Sequence, residues 1–236
     1  MTQKEMKMAE HVFRRFDEEL DKLRTRLIKM GSVVQEQVEL VFRALETSNV
    51  ELAKLVIGRD EKVDTLDIKI DKQCMRLFAL QQPVAVDLRL IMSALSINNN
   101  FERIGDLAVN IAERTMTLAT LPDVLSRTRI LEMGFQAEKM VVKALDAFIN
   151  NDVELARAVL AMDTIVDQLD QNNFQSLLSI MTEDKALIEP CSHLIIVSRN
   201  IERLADQATN ISEEVVFLVD AEIIKHRNWD EEKSGT

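Results

Sequence analysis

Residues 99–114 read NNFERIGDLAVNIAER, and residues 199–214 read RNIERLADQATNISEE. In register, Glu102–Arg103 lies over Glu202–Arg203, Asp106 over Asp206, and Asn110–Ile111 over Asn210–Ile211, an offset of 100. Further back the offset is 103. There Val50–Lys54 (VELAK) repeats as Val153–Arg157 (VELAR), Asp60–Asp67 (DEKVDTLD) as Asp163–Asp170 (DTIVDQLD), and Met30–Gly31 as Met133–Gly134. Self-similarity at a fixed long period means a duplicated structural unit. The first copy is three residues longer between Asp67 and Glu102, and the segment around Gln81, Gln82 and Pro83 is the natural place for them.

The chain has 236 residues, 47% hydrophobic, with only 5 Gly, 3 Pro, no Tyr and one Trp. Leu, Ala, Met, Glu, Lys and Arg dominate, and these favour helices. With so few turn formers, many short strands are excluded. Each copy divides into three helical segments. The first copy gives about 8–47, 48–81 and 83–117, and the second about 124–150, 152–182 and 188–226. Ser48-x-x-Glu51 and its counterpart Asn151-x-x-Glu154 have the form of capping boxes. Pro83, Pro122 and Pro190 fall at the expected turns, with Leu121–Asp123 as the hinge between copies. Short connections make antiparallel neighbours. The expected fold is therefore all-α: two three-helix bundles in tandem, over residues 8–118 and 123–226.

On a helical wheel, Val63, Leu66, Ile70 and Leu77 share an apolar sector. Asp60, Asp64, Asp67 and Asp71 stack in the sector beside it. Asp163, Asp167 and Asp170 repeat that stripe, with Phe174 in place of its last acid. On the third helix Ile104, Ala108 and Ile111 form the apolar stripe, while Glu102, Asp106, Asn110 and Glu113 share another face that Glu202, Asp206, Asn210 and Glu213 repeat. Like charges four apart repel by about 0.2–0.5 kcal/mol per pair. Asp also competes with the helix backbone. If the second and third helices are neighbours, four carboxylates per bundle converge and a cation relieves their repulsion. Oxygen ligands suit Mg²⁺, Ca²⁺ and Mn²⁺, and less selectively iron and zinc. A solvated acidic face is the plain alternative, made less probable by duplication of both motifs.

Other chemistry has thinner support. His11, His193 and His226 are scattered, and none forms the Glu-x-x-His pair of di-iron bundles. His193 is expected on a helix surface or partly buried. There is no glycine-rich phosphate cradle. Cys74 and Cys191 have no metal-type spacing and are expected to be reduced. The net charge of −11 shows none of the basic patch that nucleic-acid binders carry. The charged N-terminal stretch is no signal peptide and no run is long enough to span a bilayer, so a soluble, cytoplasmic protein is expected. The 11 Met read as core gap-fillers, with Met6 and Met8 as the expected exceptions. Arg103 and Arg203 read as salt-bridge partners within the bundles.

The tandem repeat, the D-x-x-V-D-x-L-D motif, Gln82–Leu95 (QPVAVDLRLIMSAL), ERIGDLAVNI, ERLADQATNI and Phe217–Arg227 (FLVDAEIIKHR) together resemble the PhoU family over about residues 13–227. The resemblance implies a regulator rather than an enzyme. Such a protein links the ATPase subunit of the phosphate ABC transporter to the sensor histidine kinase of the phosphate two-component system, restrains uptake and keeps the starvation response off. It implies multinuclear iron or zinc at Asp60, Asp64, Glu102 and Asp106 and at Asp163, Asp167, Glu202 and Asp206, while the oxygen donors themselves keep Mg or Mn as candidates. Partners would include a second copy of the chain, no nucleic acid, and membrane only through other proteins. The second copy has Ala205 where the first has Gly105, which puts close approach to that backbone in question. A carboxylate-bridged dimetal enzyme and a metal-free scaffold are the alternatives.

Overall fold

A computed structural model describes the backbone of residues 3–81 and 85–224, and the side chains of 16–79 and 86–224. The described residues form six long helices, α1 (Gln3–Glu46), α2 (Val50–Gln81), α3 (Ala85–Leu118), α4 (Ile130–Asn150), α5 (Val153–Glu183) and α6 (Ile188–Asp220), joined by short turns, with no strand among them. Helices α1–α3 pack as one bundle and α4–α6 as the other. The expected apolar stripes are buried, among them Val63, Ile70, Ile104, Ala108 and Ile111. The expected site of the three-residue insertion, around Gln81, Gln82 and Pro83, lies largely outside the described residues.

Boundaries differ from expectation where local bonding decides. Ser48 and Asn151 are not the N-caps. They sit at φ 48° and 52°, in the left-handed conformation that ends the preceding helix. The amides that follow reach back five residues, Asn49 N to Ala44 O and Asp152 N to Ala147 O, each 2.9 Å. This closes a Schellman turn. The caps lie one residue on, where Asn49 Oδ1 accepts from Leu52 N at 3.0 Å and Asp152 Oδ1 from Leu155 N at 2.9 Å. The fourth helix begins at Ile130, not 124, because Leu125–Arg127 forms a 3₁₀ turn. Helix α6 stops at Asp220, not 226, where Ala221 turns left-handed at φ 58° and its amide closes onto Phe217 O. Pro190 lies in the first turn of α6, where its missing N–H is not needed.

In sequence the bundles are tandem; in space they lie side by side and share one core. Helix α3 packs on α6, and α1 on α4. The start of α3 (Met92, Ser96) meets the end of α6 (Phe217, Ile224), so the two run antiparallel. At the α1–α4 crossing, a Cβ on Gly31 would stand 2.5 Å from Leu145 Cδ1 and 2.8 Å from Phe101 Cζ, and one on Gly134 would stand 2.8 Å from Phe42. Gly31 matches Gly134, and Phe42 matches Leu145, in the 103-residue register. Each copy thus offers a glycine to the other's large side chain, an approximate two-fold relation inside one chain. No helix among the described residues is long and apolar enough to cross a membrane. Both cysteines are buried and free, and burial pushes the Cys74 thiol up to about 12.

Candidate metal centre

The acidic stripes of α2 and α3 face one another. Burial is the main force raising the Asp60 carboxyl. The fields of Asp64 and, from α3, Asp106 add to it. Glu102 is raised by burial, then by Asp106, Asp67 and Asp64. In the second bundle Asp163 is pushed up to about 6 by burial, Asp167 and Glu202. Asp206 reaches about 6 through burial, Asp163 and Asp167. Asp167 and Glu202 are raised too, again chiefly by burial. In each bundle the acids of the two helices therefore act on one another through their fields.

By chemistry the donors fit a hard cation: they are carboxylate oxygens, partly desolvated and mutually repelling. The side chains are not closed into a ligand shell. Among the described residues no three His, Cys, Asp or Glu converge as a metal-holding group. His193 is half-buried, as expected, and its Nδ1 has no hydrogen-bond partner among the described residues. His11 and His226 lie outside the described side chains. Asn110 and Glu113 are exposed.

Several neighbours of the acids escaped the sequence reading. Buried Gln37 of α1 donates from Nε2 to Asp60 Oδ1 and to Val56 O, each at 3.4 Å. Its signal was a lone polar residue between Val34 and Val38 in the apolar stripe of α1. Asn98 donates to Asp67 Oδ1 at 2.6 Å and to Asp71 Oδ1 at 3.1 Å. Its counterpart Ser198 donates to Asp170 Oδ1 at 2.9 Å. Asp170 is buried and also pairs with Arg199 Nη1 at 2.8 Å. Arg103 and Arg203, expected to bridge, form no ion pair among the described residues. They act only through their fields, which lower Glu102 and Asp206 respectively. The exceptions among the methionines are Met75 and Met92, 60% and 54% exposed; Met6 and Met8 lie outside the described side chains.

A Cβ on Gly105 would stand 3.1 Å from Asp60 Oδ1 and 3.5 Å from Gln37 Oε1. The first cluster therefore does come close to that backbone. Ala205 places a methyl there in the second bundle and is fully buried.

Fold and site define a class: a duplicated helical-bundle protein with one carboxylate cluster per copy. The sequence matches the PhoU domain family over residues 27–115 and again over 130–215, one match per bundle. A Caulobacter vibrioides protein described as a phosphate-specific transport system accessory protein PhoU homolog is 37% identical, over 91% of this chain and 94% of its own. An Aquifex aeolicus protein of the same description is 38% identical, over 89% of this chain and 95% of its own. The crystal structure of PhoU from Pseudomonas aeruginosa superposes with a TM-score of 0.84 at 35% identity, covering 88% of this chain and all (100%) of that one. The phosphate transport system regulatory protein PhoU from Streptococcus pneumoniae gives 0.80 at 27% identity, over 89% and 99% of the two chains. The chain belongs to the PhoU family.

Proposed function

We propose that this chain is a cytoplasmic, non-enzymatic regulator of phosphate transport that holds the phosphate-starvation response off when phosphate is plentiful. It does so by linking the ATPase subunit of the phosphate ABC transporter to the sensor histidine kinase, and it reaches the membrane only through them. The observation that carries this reading is the family match in both bundles, among relatives described as accessory proteins of phosphate-specific transport. The test is alkaline phosphatase activity in phosphate-rich medium, with and without the gene. Activity that switches on upon deletion supports the reading; activity that stays at the undeleted level overturns it.

The same proposal assigns cations to the two carboxylate quartets, Asp60, Asp64, Glu102 and Asp106, and Asp163, Asp167, Glu202 and Asp206. Iron, zinc, Mg and Mn are the candidates. What supports it is that burial and neighbouring acids disfavour the ionised forms of Asp60 and Glu102 in one quartet and of Asp163, Asp167, Glu202 and Asp206 in the other, and a bound cation removes that cost. Rotamer changes at exposed Asp64, Asp106 and Asp167 would close the shells. Elemental analysis tests it: metal co-purifying with the chain should fall to background in the double variant Asp106→Asn, Asp206→Asn, and equal metal in both proteins would refute the assignment. A homodimer completes the proposal, and sedimentation at a single monomer mass would remove it.

A further inference from the structure

The cation-rich part of this acidic protein is a cleft of about 520 Å³ between α1 and α2. Glu19, Lys22 and Arg26 line one wall, and Lys69, Lys72, Gln73 and Arg76 the other. No run in the sequence shows this patch, because the cations come from two helices and each stretch is interleaved with acids. On α2 the three cations follow at i, i+3 and i+7, one stripe about 10 Å long. At 100° per residue that stripe lies on the far flank of α2 from Asp60, Asp64, Asp67 and Asp71.

The cleft is braced from below. Gln73, buried, accepts from Arg26 Nη1 at 2.6 Å and donates to Glu19 O at 2.7 Å. Glu19 is held below the usual carboxylate range by the hydrogen bond from Lys22, with the charges of Arg76 and Arg26 also acting on it. No described carboxylate pairs with Lys69, Lys72 or Arg76.

The duplication supplies an internal control. In the 103-residue register Lys69, Lys72 and Arg76 become Asn172, Gln175 and Ser179, and Lys22 becomes Leu125. The second bundle keeps α5, the counterpart of α2, without its three cations, so that helix forms without them; of the α1 cations, Arg26 is kept as Arg129. The cleft also forms where α1 extends beyond the repeat. Residues 3–26 of α1 precede the position matching the start of α4, where the second copy has only the 3₁₀ turn Leu125–Arg127.

We infer that this cleft docks an acidic protein segment. Three features select that occupant. The cations are strung along a trough rather than focused on one point, which suits a chain of carboxylates better than a single small anion. A bilayer surface is broad and flat, whereas these cations line the two walls of a trough. No described aromatic side chain lines the cleft to stack a nucleotide base. The inference rests on the asymmetry between the bundles and does not depend on the signalling role proposed above.

The test is fluorescence anisotropy of a labelled oligo-glutamate peptide titrated with the full chain at low ionic strength. The triple variant Lys69→Asn, Lys72→Gln, Arg76→Ser installs the second bundle's own residues and should keep the wild-type circular dichroism spectrum. Affinity is expected to fall about tenfold in that variant, and about twofold in Lys22→Gln on the facing wall. Undiminished affinity in the triple variant would overturn the inference. So would an oligo-glutamate peptide that fails to bind the wild-type chain. If inorganic phosphate or phosphatidylglycerol vesicles then bind, and lose binding in the triple variant, the cleft belongs to a phosphoryl ligand instead.

Discussion

At matched positions the first bundle has Gln37 and Gly105 where the second has Met140 and Ala205. Gln37 donates a hydrogen bond to Asp60, and the missing Cβ of Gly105 leaves room for the contact. Asp163 accepts no hydrogen bond from a described side chain, and burial with its acidic neighbours carries it to about 6. Farther along the stripe the contrast reverses. Asp170 is buried with Ser198 and Arg199 as partners, whereas Asp67 is half-buried, shares Asn98 with Asp71 and is raised by burial and by that second acid. Both copies keep the quartet of carboxylates and differ in what surrounds it. Two clusters of the same composition therefore differ in how strongly Asp60 and Asp163 hold their protons.

A second asymmetry concerns the ends of the helices. Arg24 and Arg127 are equivalent in the 103-residue register. Arg24 Nη2 donates to Ile149 O at 3.0 Å and Asn151 Oδ1 at 2.9 Å, closing the C-terminus of α4, where a cation complements the helix dipole. Arg127 instead bonds Glu183 at 2.8 Å, because the 3₁₀ turn that carries it has replaced a helix.

The largest test of the two-fold relation is Gly31→Val. Its Cβ lands on Leu145 and Phe101, and the variant should lose about 3 kcal/mol in urea denaturation. A loss under about 1 kcal/mol would mean that the bundles do not pack as closely as described. Next come the acids. Asp163 and Asp206 hold protons to about 6 in the folded state, against about 3.9 unfolded. The folded protein then binds more protons at these two sites between these values, so their contribution to stability is fully present below about pH 4 and is lost as pH rises through 6. Asp163→Asn with Asp206→Asn should gain about 1–2 kcal/mol at pH 7, discounted for partial exposure, and the gain should vanish at pH 4. The corresponding Asp60→Asn should gain less. A pH-independent gain would sink the electrostatic account.

Smaller effects sharpen the comparison. Gly58 lies inside α2 with nothing near its Cβ position, and the second copy has Ala161 there. Gly58→Ala should stabilise by about 0.8 kcal/mol in thermal unfolding, through helix propensity alone. The smallest is an exchange of shells. Gln37→Met should raise the Asp60 carboxyl further, and Met140→Gln should lower that of Asp163, both read by carboxyl NMR titration. An unmoved Asp60 would show that the 3.4 Å contact carries no energy.

The stripes of α2, α3, α5 and α6 were legible because a helix imposes a fixed angular step, so spacing alone places Asp60 under Asp64 and Glu102 under Asp106. Gln37 was not, because it approaches Asp60 from a third helix with which it shares no period. The caps were misplaced by one residue because Ser48 and Asn49 both favour N-caps, and only the Schellman bonds show which one ends the previous helix. The end of α6 was overestimated because Ala221 is a good helix former that nonetheless adopts a left-handed turn.

The amino-acid sequence by itself determined the helical class, the duplication, and the two carboxylate stripes, since each follows from composition or from a period along one chain. Tertiary structure decided that the two bundles lie side by side with a shared core, that glycine meets a large side chain across α1 and α4, and that five cations from α1 and α2 line one cleft. Those arrangements depend on distances between helices far apart in sequence, and packing sets those distances.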